Sequence, residues 1–419
     1  MNDTQLSSPG ATAAPLEDRR VLLGVCGGIA AYKSAELTRA LVREGARVQV
    51  VMTEAATRLV QPLTFEVLST RPVACDMWQT APGTRIQHTD HGRQSDLIII
   101  APATANTIGR IAGGLADNLL TSLVMASRTP VLLAPAMNVE MWSNPLVQEN
   151  LARLTNLARY HVVPPESGEL ACGVDGAGRL APIDQIMDDA RRLLSPQDLA
   201  GRFVLVTAGP TYEPFDPVRF VGNHSTGLMG YALAAAAQLR GARVVLISGP
   251  TALNPPRGVE VVSVTTAIEM RAEVMTRLAE ADMLAMVAAV SDYRPTARAT
   301  AKIHKTSGDK EIRLALNPDI LAEVGSLETR PLTLGFAAET EDVVAAAHRK
   351  RAAKNVDFLF GNLVGGGRGG FACRKNSGVL VDRSGTQESF PLVDKAELAH
   401  ALLDRLAPRL ATRTPEEVT

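Results

Sequence analysis

Cysteine is scarce in this chain: its 419 residues hold four, Cys26, Cys75, Cys172 and Cys373. No two form a C-x-x-C pair and their spacing is irregular, so neither a disulfide framework nor a zinc site is indicated. Excess charge is missing too. A net charge of −1 leaves no electrostatic footprint for nucleic acid. Basic residues gather only locally, at Lys302 and Lys305 and at Arg349, Lys350, Arg351 and Lys354, which suits a small polyanion better than a duplex. No apolar run reaches the roughly 18 residues of a membrane span, and the N-terminus lacks the basic-then-apolar order of a signal peptide. The expectation is a soluble cytoplasmic protein with no membrane or nucleic-acid partner.

What is present is an alternation of short apolar strands and helical stretches, which predicts α/β architecture with parallel sheets covered on both faces. The length calls for more than one core. We read residues 1–17 as a Ser-, Pro- and Ala-rich tail, 18–194 as a first domain, 195–201 as a polar linker, 202–410 as a second domain and 411–419 as a tail. Strands are expected at Val21–Val25, Val48–Met52, Asp96–Ala101 and Val131–Ala134, with a long loop over Pro164–Pro182 and a helix over Ile183–Leu194. The second domain restarts the pattern at Phe203–Thr207, Arg243–Ser248, Glu260–Val264, Met283–Ala288, Leu332–Phe336 and Phe358–Phe360. Ser225 or Thr226 is placed to cap a helix running through Leu239. The run Gly365–Gly370 lacks the GK[ST] ending of a phosphate loop and reads as a plain flexible loop.

In the first half, a strand runs into Gly27-Gly28 and then a helix, a geometry in which backbone N–H groups can meet an anion. The loop Ala101–Asn106 offers short polar donors at the same sheet edge, where open α/β sheets bind ligands. PAMN at 135–138 follows another buried strand, and a lone thiol, Cys172, sits in the glycine-containing segment 34 residues later. GGIAAYK (27–33), APATAN (101–106), GLADNLL (114–120), PAMN and ACG (171–173) together resemble the flavin-dependent cysteine decarboxylases. The resemblance covers roughly 19–194 and implies a flavodoxin-like fold and FMN, held near Gly28, Thr53, Ala103, Thr104 and Asn106. It also implies a trimer-based assembly. Loss of CO₂ from a cysteinyl carboxylate needs an electron sink, and a flavin supplies one by oxidising the thiol first and returning the hydride afterwards. Asn138 suits the carboxylate because its amide donates without carrying charge; the plainer alternative is that it caps the following turn. Cys172 is the expected acid that protonates the product. The resemblance gives His88 as the base or substrate orienter, with His91 as its rival.

In the second half, Phe203–Thr207 leads to Gly222-Asn223-His224-Ser225-Thr226-Gly227, which is not G-x-G-x-x-G. Later come AAVSDYRP (288–295), AKIHK (301–305), NPDIL (317–321), GFAAET (335–340) and RKRAAKN (349–355). This ordered set resembles the phosphopantothenate–cysteine ligase domain over about 201–408. With the first half it resembles the bacterial bifunctional enzymes of coenzyme A biosynthesis. The resemblance implies 4′-phosphopantothenate, L-cysteine and CTP as substrates, Mg²⁺ as cation, and a ligase that works through an acyl-cytidylate. Asn223 would orient the acyl group, and Lys302 would contact the triphosphate. Ala288 and Ala289 would allow close approach of substrate. Asp292 would serve nucleotide or cation, Pro318, Asp319, Ile320 and Leu321 would supply the loop, and Phe336 would pack on the nucleotide. Lys350 and Lys354 share a helix face and would meet phosphates. His304 departs from the family's lysine run. The resemblance also suggests dimeric ligase units joined to trimeric flavin units in a dodecamer. Competing readings are a flavin oxidoreductase with a second nucleotide-binding domain, and a flavin-binding regulatory module.

Overall fold

The computed structural model describes residues 15–78, 94–169, 175–304, 311–339, 342–363 and 373–411. They form two compact units that divide between Pro196 and Gln197.

In the first unit, β1 (Arg20–Val25), β2 (Arg47–Met52), β3 (Leu97–Ala103), β4 (Val131–Pro135) and β5 (Tyr160–Val162) form a parallel sheet in the order β2-β1-β3-β4-β5. This is the flavodoxin-like order. The central strands are apolar at nearly every position because both faces are covered. Leu23, Val25, Ile99, Ala101, Leu132 and Ala134 point to one core. Leu22, Ile98, Ile100, Val131 and Leu133 point to the other. Each of the Leu, Ile and Val side chains contributes about 1.5–3 kcal/mol on burial. The helix Lys33–Arg43 ends two residues before Gly45, whose φ of +82° turns the chain back into β2.

The stretch Pro164–Pro182, expected to be a loop, contains a hairpin. Its arms β6 (Glu166–Glu169) and β7 (Asp175–Arg179) pair antiparallel. Neither arm carries an apolar alternation, so periodicity gives no sign of it.

The second unit contains an eight-stranded sheet. Its strands are β8 (Phe203–Ala208), β11 (Arg243–Ser248), β12 (Glu260–Ser263), β13 (Met283–Met286), β16 (Leu332–Glu339), β17 (Phe358–Leu363), β18 (Lys375–Asp382) and β19 (Gln387–Asp394). The order β12-β11-β8-β13-β16-β17-β18-β19 is the Rossmann order 3-2-1-4-5-6 extended by two antiparallel strands. Two small hairpins, β9 (Tyr212–Pro214) with β10 (Phe220–Gly222) and β14 (Tyr293–Pro295) with β15 (Leu314–Leu316), project from it. The reading from sequence had missed β5, β18 and β19. It had also missed the closing helix Lys395–Ala411, whose Leu398, Leu402 and Leu406 bury in the same core as the helix Leu228–Leu239.

Candidate active sites

In the first unit, a cavity of about 1100 Å³ opens where the carboxyl ends of the parallel strands meet their following loops. It stands at the point where strand order reverses between β1 and β3, where doubly wound sheets take ligands. Gly27 and Gly28 form one wall. A Cβ on Gly27 would lie 2.3 Å from that of Ala55, so only glycine lets these loops close on each other. Thr53 lines the cavity and caps the helix Glu54–Thr57 by accepting from the Ala56 amide at 3.3 Å. Thr104 caps the helix Ala105–Ala112 in the same way, through the Thr107 amide. Asn106 lines the wall and holds Arg110 through its Oδ1 at 3.1 Å. Ala103 is fully buried behind the wall, and its carbonyl accepts from Ala136 at 3.1 Å.

Asn138 lines the same cavity and caps the turn that follows it. Its Oδ1 accepts from Glu140 N at 2.8 Å and caps the helix Val139–Ser143. That bond turns the amide oxygen toward the start of the helix. Met137 N, one residue earlier, donates to Gly178 O in β7 at 2.9 Å. The hairpin is thereby tied to the PAMN loop. The connection between its arms carries Cys172, which lies outside the described residues, as do His88 and His91. Cys26 does not line the cavity; it is buried and accepts from the Thr107 hydroxyl. Burial pushes its thiol up to about 11, so it stays protonated and is no nucleophile.

A second cavity, of about 700 Å³, lies in the other unit at the β8/β13 reversal. Asn223, His224, Ser225 and Thr226 lead into the helix Leu228–Leu239 along its rim. The expected cap is corrected here: the N-cap is Gly227 at φ +78°, and the Ser225 hydroxyl accepts from the Gly227 amide instead. A Cβ on Gly227 would meet Thr251 at 2.8 Å, so a close approach and a left-handed backbone both require glycine.

The opposite wall is backbone held by short polar side chains. Thr207 Oγ1 accepts from Val287 and Ala288, and Ala289 N donates to Gly209 O. Asn223 Nδ2 donates to Val290 O at 2.9 Å. Asn317 Nδ2 donates to Ser291 O at 2.8 Å, and its own amide N–H to Asp292 O. Seven residues singled out above, Ala288, Ala289, Asp292, Pro318, Asp319, Ile320 and Leu321, line one cavity with Asn223. Phe336 lines it and leans on Phe360 with ring centroids 5.3 Å apart.

Two of the cavity's three lysines meet carboxylates. Lys354 Nζ is 3.2 Å from Asp319, and Lys350 Nζ is 2.7 Å from Glu339. Lys395, Asn362 and Asn376 also line it, and the sequence reading missed them. Lys395 is only 7% exposed, and burial lowers its pKa. It sits at the junction of β19 and the closing helix, two elements that sequence periodicity had not revealed.

Lys302 is exposed and does not line the cavity. Its segment is anchored by buried Asp216, which accepts from Ile303 N at 3.2 Å, while Arg219 donates to Ile303 O. The Arg219 guanidinium holds the Asp216 carboxyl well below the usual carboxylate range. Lys305 and the glycine run Gly365–Gly370 lie outside the described residues. Among the described residues, no three of His, Cys, Asp and Glu converge as a metal site, so Asp292 stands without a ready-made ligand cluster.

Comparison with known proteins adds an independent finding. The "Flavoprotein" family matches residues 10–195, and the "DNA/pantothenate metabolism flavoprotein C-terminal domain" family matches residues 199–410. The "Coenzyme A biosynthesis bifunctional protein CoaBC" of Vibrio parahaemolyticus is 42% identical over 394 residues, covering 93% of this chain and 98% of that protein. The protein of the same name from Mycobacterium tuberculosis is 43% identical over 410 residues, covering 94% and 97%.

The chain belongs to this family of coenzyme A biosynthesis bifunctional proteins.

A family member from Bacillus subtilis is 42% identical over 396 residues, with 94% and 97% coverage. Among solved structures, the C-terminal domain of a CoaBC protein is 36% identical, with a TM-score of 0.45, and covers 52% of this chain and 100% of that one. A mutant PPC decarboxylase complexed with pantothenoylaminoethenethiol is 34% identical, with a TM-score of 0.38, covering 42% and 97%.

Proposed function

We propose that the second unit joins 4′-phosphopantothenate to L-cysteine at the expense of CTP, and that the first unit decarboxylates the product to 4′-phosphopantetheine. The chain is a bifunctional ligase and decarboxylase of coenzyme A biosynthesis; what we add is where each reaction takes place. The observation that carries the assignment is that Asn138 and Asn223 each stand in a strand-end cavity of their own unit, beside glycine-bearing loops and a helix N-terminus.

In the first unit the cavity suits FMN. Ala55, Ala105, Ala136, Met141 and Leu180 offer apolar surface for a flat ring system, while Gly27, Gly28 and Lys33 stand where a phosphate would bind. Gly28, Thr53, Thr104 and Asn106 would hold it, with Ala103 backing the wall. Bound there, the flavin supplies the electron sink that decarboxylation needs. The Asn138 amide meets the substrate carboxylate without opposing its charge. Cys172, carried on the connection between β6 and β7, protonates the product's carbon. His88 orients the substrate, with His91 as the alternative.

In the second unit, the phosphopantothenate carboxylate attacks the CTP α-phosphate, forming an acyl-cytidylate and releasing pyrophosphate. The cysteine amine then attacks the acyl carbon, forms the amide and expels CMP. Asn223, fixed through Val290 O, positions the acyl group. Phe336 packs on the nucleotide, Lys350 and Lys354 meet phosphates, and Lys302 reaches the triphosphate from its anchored segment. Asp292 offers one carboxylate. That fits Mg²⁺, which keeps waters and binds chiefly through substrate phosphates rather than a protein cage.

A cytoplasmic homo-oligomer of trimeric flavin and dimeric ligase units, in all a dodecamer, completes the reading. Among the described residues no helix is long and apolar enough to cross a membrane. The test supplies 4′-phosphopantothenate, L-cysteine, CTP and Mg²⁺ and looks for 4′-phosphopantetheine by mass. NADPH oxidation in place of CTP-dependent pyrophosphate release would favour the oxidoreductase reading.

A further inference from the structure

We propose that Asp319 is an internal competitor for the nucleotide, a carboxylate that occupies Lys354 and so sets how tightly the second cavity takes a polyphosphate. The proposal rests on the nucleotide reading of that cavity. Asp319 does two jobs at once. Its Oδ1 accepts from Ala322 N at 3.1 Å and caps the helix Ile320–Gly325. Its carboxylate also faces Lys354 Nζ at 3.2 Å.

The two side chains come from separate elements whose spacing is fixed by backbone rather than by this pair. A Cβ on Gly325 would sit 1.9 Å from Lys354 O, and Asn355 Nδ2 donates to Gly325 O at 2.8 Å. Lys354 therefore does not need Asp319 to hold its place. The pair is half open to water, at 31% and 52% exposure, so the attraction within it is weak. A ligand with several phosphate charges can displace such a carboxylate, but it must overcome the pairing and then the repulsion of the released anion. Lys350 and Glu339 repeat the arrangement one turn away on the helix Val343–Ala353. Two of the three cavity lysines, Lys350 and Lys354, are thus offset by carboxylates of the protein itself. The cavity favours a highly charged polyphosphate over lesser anions, which gain too little to break the pairs.

Asp319→Asn separates the two jobs, because asparagine keeps the helix cap and loses the charge. Calorimetric titration of the full chain with CTP in excess Mg²⁺ reads binding directly. We expect Asp319→Asn to bind CTP about threefold to fivefold more tightly than the wild type. We expect the gain to vanish when Asp319→Asn is combined with Lys354→Met, which isolates the coupling between the two side chains. A tightening cannot come from simple damage to the fold. Unchanged or weaker CTP binding by Asp319→Asn, with Lys354→Met still weakening binding, would overturn the proposal and make Asp319 a ligand to the nucleotide or its cation. A wild-type chain that takes up no CTP would overturn the nucleotide reading, and this inference with it.

Discussion

The Met137 amide donates to the Gly178 carbonyl at 2.9 Å, and this one bond joins the loop that carries Asn138 to the hairpin that leads to Cys172. Gly178 has a φ of +146°, and a Cβ there would sit 2.3 Å from Met137 O. Gly178→Ala must push the hairpin off the loop. We expect CO₂ release from phosphopantothenoylcysteine to fall about a hundredfold, since misplacing a group by about 1 Å can cost that much. Pyrophosphate release by the ligase, measured on the same preparation, should be retained. Equal activity in both assays would detach the hairpin from the decarboxylase site.

Asn138→Asp isolates charge from geometry. Aspartate can still accept from Glu140 N and cap the short helix. It would oppose the substrate carboxylate by about 4 kcal/mol at 4 Å and an effective dielectric near 20. Decarboxylation should be abolished while the variant still purifies yellow. Retained CO₂ release would remove Asn138 from the mechanism.

Lys302→Gln addresses a residue placed by its neighbour's anchor. Ile303 is held by Asp216 and Arg219, so the backbone at position 302 is fixed while the side chain is exposed. Loss of one charge-stabilising donor costs about a hundredfold in turnover. The drop should appear in CTP-dependent pyrophosphate release and leave decarboxylation unaltered. A ligase indifferent to the change would leave Lys302 as a solvated surface lysine.

A stability prediction comes from His400. It is 6% exposed, and burial, followed by the nearby Arg240, depresses its pKa from 6.5 to about 4. The unfolded chain therefore takes up a proton at this position at a higher pH than the folded one. The cost is absent above about pH 6.5 and grows as pH falls toward 4, reaching about 3 kcal/mol. His400→Leu removes the titration but keeps the backbone carbonyl that Arg240 contacts. Thermal melts of the variant should show a smaller loss of Tm between pH 7 and pH 5 than the wild type. Parallel curves would place the acid sensitivity elsewhere.

Much of the framework was legible in the sequence. Strands buried on both faces must be apolar at almost every position, and Leu97–Ile100 and Val131–Leu133 say so without help. The hairpin β6–β7 was not legible, because its strands are polar and glycine-containing and are held by backbone pairing alone. The closing antiparallel strands escaped for a related reason: residues such as Ser389, Pro391 and Leu392 on β19 stay exposed, which breaks a clean alternation. Lys395 was hidden with them. A lysine reads as solvated surface until a fold buries it.

The order of apolar segments, by itself, determined two α/β units, their glycine turns and the loops at which ligands would be sought. Those are local properties, written in periodicity and backbone freedom. Only the tertiary structure decided that Asn223, Asp292, Phe336 and Lys354 share one cavity and that Lys302 stands outside it. Only it paired Lys354 with Asp319 across two elements. Such relationships depend on how distant strands are ordered in a sheet, and strand order is set by packing over the whole core rather than by any short stretch of chain.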